Sequence, residues 1–96
     1  MPRIAPEPDH VLYELGKLIK RQRIARGTHQ YDFAALIGVH ISTLRLYEHG
    51  QRNPPIDTLV RMAHGCDLAL SQFLSPLDHI EVPVREPRKN KPKAPK

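Results

Sequence analysis

The chain has 96 residues, of which 40% are hydrophobic, 26% charged and 5% aromatic, with 10 prolines and a net charge of +5. That length supports one small domain with a single core and leaves no room for an enzyme with an elaborate pocket. Residues 85–96 hold six basic side chains (Arg85, Arg88, Lys89, Lys91, Lys93, Lys96) against Glu86, which accounts for the whole +5, while nine basic and nine acidic residues cancel over residues 1–84; the basic pI therefore describes the tail and excludes a uniformly basic domain.

Residues 1–8 carry Pro2, Pro6 and Pro8 with no periodicity and read as a flexible N-terminal arm. Asp9 is the expected N-cap of a first helix whose inner stripe is Val11, Leu12, Leu15, Leu18, Ile19 and Gln22. Gly16 inside that stripe costs a helix about 1 kcal/mol against alanine, which points to another backbone passing close by. The helix should stop at Gly27, with Arg23 and Arg26 in its last turn, where cations suit the dipole. Lys17, Lys20, Arg21, Arg23 and Arg26 cluster early and Asp67, Asp78 and Glu81 come late, so one positive side is expected despite the neutral sum.

Phe33, Ala34 and Ile37 recur at helical spacing before Gly38, and Val39, Leu44 and Tyr47 recur after it. Each segment has one apolar side, and the joint lets those sides face each other, which is a helix-turn-helix in outline. Ala34 is small where two steeply crossing helices approach, and Gly38 suits the left-handed end of the first of them. His40, Ile41, Ser42, Arg45, Leu46 and His49 are left on the outer face of the second. A helix with that face free can enter a DNA major groove; a plain helical hairpin within a bundle carries the same Ala and Gly signals.

Gly50 is the expected stop after this helix, and Pro54 and Pro55 prevent its continuation. A fourth helix is expected over residues 56–64, with Ile56, Leu59, Val60 and Ala63 inward, and a short fifth over residues 70–74. Ile80, Val82 and Val84 alternate with Glu81 and Pro83, so residues 76–85 read as an extended segment, confined to a sheet edge by Pro83 and offering a dimer contact. Residues 86–96 are Pro, Lys and Arg with almost no apolar side chain and are expected to be a disordered basic tail.

Four stretches in order, R-I-A-R-G-T-H-Q (residues 23–30), F-A-A-L-I-G-V (33–39), S-T-L-R-L-Y-E-H-G-Q-R-N-P (42–54) and L-V-R-M-A (59–63), give the chain a likeness to a known family. Over residues 15–74 it resembles the phage-repressor-like DNA-binding domains of the lambda repressor and Cro type, often called Xre-like. The resemblance implies an all-α, five-helix domain over residues 9–75, with the helix around residues 41–49 reading the major groove. It implies base contacts from Gln30, Ile41, Ser42, Arg45 and Leu46, and phosphate contacts from His29, His40, His49, Gln51, Arg52 and Asn53. Arg23 is expected to pair with Glu48, fixing the first helix against the third. Two caps depart from the family pattern: His29 stands where Ser or Thr usually precedes the glutamine, leaving Thr28 or Asp32 to start the second helix, and Pro55 replaces the capping residue of the fourth.

No two of the six histidines have the spacing of a zinc-binding helix, and Cys66 has no C-x-x-C partner, so no metal and no cofactor are expected. Cys66 reads as a small apolar filler rather than a nucleophile. With no disulfide and no apolar run of signal-peptide or membrane length, a cytoplasmic protein without membrane attachment is expected. The expected function is sequence-specific transcriptional regulation, as a repressor and a homodimer on double-stranded DNA. The alternative is an antitoxin that holds a toxin protein through its C-terminal extension and regulates its own operon.

Overall fold

Nineteen residues, Pro8–Arg26, form the first and longest helix, α1, in the computed structural model, which describes residues 8–80 of the chain. It starts one residue before the expected cap: Pro8 occupies a first-turn position, where its missing N–H is no loss, and Asp9 lies within the helix rather than ahead of it. Leu15, Leu18 and Ile19 are buried along its inner stripe, Val11, Leu12 and Gln22 half-buried at its margins. Gln30–Ile37 (α2) and Ile41–Glu48 (α3) make the helix-turn-helix, Ile56–Gly65 (α4) and Leu70–Leu74 (α5) follow, and Ser75–His79 closes the described chain as a 3₁₀ helix. The fold is all-α with five α-helices, and no strand occurs among the described residues.

The core joins all five helices: Leu15, Leu18 and Ile19 from α1, Phe33, Ala34 and Ile37 from α2, Leu44 and Tyr47 from α3, Leu59, Met62 and Ala63 from α4, and Phe73 from α5. The α2–α3 turn follows its sequence closely. Gly38 takes φ +77°, its N–H donates to the Ala35 carbonyl at 3.2 Å, and the Val39 N–H donates to Ala34 at 2.9 Å. These bonds satisfy carbonyls that the end of α2 would otherwise strand, and a side chain at Gly38 would strain that backbone. Ala34, 2% exposed, lies in the core between the helices.

Gly16 is the second position where glycine is required. A Cβ there would stand 2.6 Å from the Glu48 carbonyl oxygen and 2.7 Å from that of Tyr47, well inside contact distance. The end of α3 thus rests directly on the α1 backbone, which fixes the orientation of the helix that presents the outer face.

The inner face of α4 differs from its expected register. Thr58, Leu59, Met62 and Ala63 are buried, Val60 is half-buried, and Ile56 is 65% exposed. A helical side chain lies over the turn N-terminal to its own Cα. At the first position of α4 there is no such turn, so Ile56 projects into solvent while the unbranched Met62 fills the core. The extended reading of residues 76–85 also changes. Residues 75–79 wind as a 3₁₀ helix with Pro76 in its first turn, and extended backbone begins only at Ile80, φ −76° and ψ 126°. Val82, Val84 and the basic tail over 86–96 lie outside the described residues, as does the arm over residues 1–7.

The 3₁₀ helix packs back against α1, and Gln22 Nε2 donates to the Phe73 carbonyl at 3.1 Å. Early cations and late acids, separated in sequence, meet in space: Arg26 Nη1 lies 2.6 Å from Asp67 Oδ2. Arg23 pairs with Glu48 and Lys17 lies 3.9 Å from Glu14, while Lys20 and Arg21 are exposed on α1. No described helix is long and apolar enough to cross a membrane.

Candidate nucleic-acid interface

Side chains of α3 divide cleanly by position. Leu44, Tyr47 and Glu48 face inward and are buried, whereas Ser42, Arg45 and His49 are exposed and Ile41 and Leu46 half-buried. The sequence-expected reading face is therefore presented as one side of α3, with His40 exposed at its N-terminus. Ile41 packs in part against the core. The remaining apolar edge, Leu46 and the outer part of Ile41, has the chemistry to meet thymine methyls, and Arg45 has the fork to meet a guanine edge.

Helix α2 begins beside this face. His29 occupies its N-cap with extended backbone, φ −77° and ψ 159°, and makes no side-chain cap bond; Thr28 precedes the cap and Asp32 lies in the first turn. His40 at the start of α3 and Pro55 at the start of α4 likewise provide no side-chain cap bond. Orphan N–H groups therefore remain at the starts of α2 and α3, and such groups with the helix dipole favour a phosphate oxygen. Gln51, Arg52 and Asn53 are exposed in the α3–α4 loop. His49 is held differently: its Nδ1 donates to the Arg45 carbonyl at 2.7 Å, which leaves Nε2 as the outward atom.

Behind the face lies a buried charge pair. Arg23 Nε and Nη2 donate to Glu48 Oε2 and Oε1 at 2.7 and 3.2 Å, and Arg23 Nη1 donates to the Thr28 carbonyl at 2.8 Å. Both residues are 7% exposed. A buried charge pair of this kind contributes little net stability, but removing one partner costs about 3–5 kcal/mol because the other is stranded. Its geometric effect is to tie the end of α3 to α1 and to the loop that enters α2.

Gln30 extends this pair outward, and nothing in its sequence position signals that. Its Nε2 donates to Glu48 Oε1 at 2.8 Å, and its Oε1 accepts from Arg45 Nε at 3.3 Å. The glutamine is half-buried and engaged with two protein groups, where the sequence alone assigns it to DNA. Elsewhere, burial pushes the Cys66 thiol above its ordinary range, with Asp67 adding to the effect and Arg26 opposing it. That shift disfavours the thiolate a nucleophile needs.

Solved structures share this fold. The restriction-modification controller protein C.AhdI from Aeromonas hydrophila is 27% identical with a TM-score of 0.62, over 65% of this chain and 94% of that one. An HTH_3 family transcriptional regulator from Vibrio cholerae is 28% identical with a TM-score of 0.64 over 71% of this chain, which spans only 38% of that regulator. The SinR protein/SinI protein complex contains a chain 26% identical with a TM-score of 0.60, over 67% of this chain and 63% of that one. No curated protein matches the chain. The family model HTH_3, Helix-turn-helix, matches residues 19–73, more than half of the 96 residues, and the chain belongs to this family of lambda-repressor-like, DNA-binding transcriptional regulators.

Proposed function

We propose that the protein is a cytoplasmic repressor that binds double-stranded DNA as a homodimer, with α3 in the major groove of each half-site. The observation that carries this reading is the outward face of α3, where Ser42, Arg45 and His49 are exposed although Leu44, Tyr47 and Glu48 anchor the same helix in the core. Arg45 bonds a guanine, Ser42 reaches a donor or acceptor beside it, and Ile41 and Leu46 pack on thymine methyls. Gln30, assigned to a base contact from sequence alone, acts instead beside Arg45 at the groove edge, since its amide is bonded to Glu48 and Arg45. His29, His40, His49, Gln51, Arg52 and Asn53 hold the backbone phosphates and set the register without reading sequence.

A single module of this size reads too few base pairs for high specificity, and two-fold pairing doubles the site. Leu70, Leu74 and Leu77 pack in part against the domain's own core and, like Ile80, are half-buried; the apolar surface they leave open is where a sister chain would pair. Selection from random duplexes, followed by footprinting, tests the proposal. The expected product is an inverted repeat with half-site centres about 10–10.5 base pairs apart, or a multiple of that spacing. Recovery of single, non-repeated sites would remove the dimer, and placing the selected site over a reporter promoter should lower expression if repression is correct.

A further inference from the structure

The hydrogen bonds of Gln30 have a direction that chemistry dictates. An ionised Glu48 carboxylate only accepts, so the amide nitrogen must face it; the Arg45 Nε–H only donates, so the amide oxygen must face Arg45. Both constraints select the same orientation, with Nε2 to Glu48 at 2.8 Å and Oε1 to Arg45 at 3.3 Å. Glu48 is itself immobilised by two bonds from Arg23, whose third donor group is bonded to the Thr28 carbonyl. The result is an ordered chain of bonds from α1 through Glu48 and Gln30 to a guanidinium on the exposed face of α3.

We infer that Gln30 is a positioning residue that sets how Arg45 reads a base. This rests on the DNA-reading function proposed above. An arginine can approach the O6/N7 edge of guanine side-on, through Nε and one terminal nitrogen, or end-on, through its two terminal nitrogens. Gln30 occupies Nε, which leaves Nη1 and Nη2 as the forward pair and commits the side chain to the end-on approach. Arg45 is exposed, and a free arginine would lose much rotamer freedom on binding; the amide removes part of that loss before DNA arrives. Gln30 thereby sharpens preference for guanine without touching that guanine.

The test measures binding of the full chain to duplexes that carry each of the four bases at the position where Arg45→Ala abolishes preference. Wild type, Gln30→Leu, Arg45→Ala and the double variant are compared, with thermal unfolding of each as a control. Gln30→Leu keeps the approximate size and removes both bonds. It should lower the guanine preference at that one position by about threefold to tenfold, within the range of coupling between contacting side chains, and leave preference at the Ser42 and Leu46 positions unchanged. In the double variant Gln30→Leu should add nothing to the loss at that position. Equal weakening at every position, or an unchanged guanine preference in Gln30→Leu, overturns the positioning role while leaving DNA reading by Arg45 intact. A wild-type chain with no base preference overturns both.

Discussion

Alanine in place of Gly16 separates two opposite physical effects at one side chain. In an unconstrained helix the change gains about 1 kcal/mol of helix propensity. Here the new methyl meets the carbonyl oxygens of Glu48 and Tyr47 at 2.6 and 2.7 Å, neither of which can rotate away, so α1 and α3 must separate. Gly16→Ala should destabilise the domain by about 1–3 kcal/mol, as overpacking does, measured by urea unfolding; a stabilised variant would show that the two helices are not in backbone contact. The close approach was legible in sequence because a glycine inside a strong helical stripe needs a reason. The Gln30 bridge was not, because a glutamine at a helix start is equally suited to water, a phosphate or a neighbouring side chain. Only the placement of Glu48 beneath it decides among them. Arg23 and Glu48, 25 positions apart in sequence, look like solvated charges until α1 and α3 are packed together.

Helix ends show where sequence signals are strong and where they fail. The α2–α3 turn was readable because Gly38 performs a backbone task that other residues perform poorly. The starts of α2 and α4 were harder, since His29 and Pro55 occupy N-cap positions without contributing a cap bond. The burial register of α4 was misread at Ile56 because periodicity treats a terminal residue like an internal one. These ends also carry a prediction. His29 already has cap backbone geometry, φ −77° and ψ 159°, so His29→Ser should place a hydroxyl oxygen within reach of the first-turn N–H groups. Thermal or urea unfolding should show stabilisation of about 0.5–2 kcal/mol, the usual worth of an N-cap side chain. No gain would mean that the N–H groups at the start of α2 are already satisfied. The same substitution should weaken DNA binding if His29 holds a phosphate, so stability and affinity should move in opposite directions.

For the chain as a unit, charge and shape assign separate tasks. The domain is neutral over residues 1–84 and the excess of +5 falls on residues 85–96, while the proposed reading face belongs to α3 near the middle of the sequence. Phosphate neutralisation contributes about −0.9 per contact to the slope of log affinity against log salt and carries no base information. Deleting residues 86–96 should therefore weaken operator and random DNA alike and flatten the slope by roughly one to three units per chain, if some of the charges engage together. Identical slopes for the full and shortened chains would assign the tail to solubility alone. The assignment of base reading to α3 is tested separately, by the sequence preference of Arg45→Ala and Leu46→Ala on the selected site and its single-base variants at fixed salt. Arg45→Ala should lose about 1–3 kcal/mol of discrimination at one guanine per half-site, and Leu46→Ala should lose preference at a neighbouring thymine, with both variants still folded. Unchanged affinity and unchanged base preference in both would contradict the placement of this α3 face in the major groove.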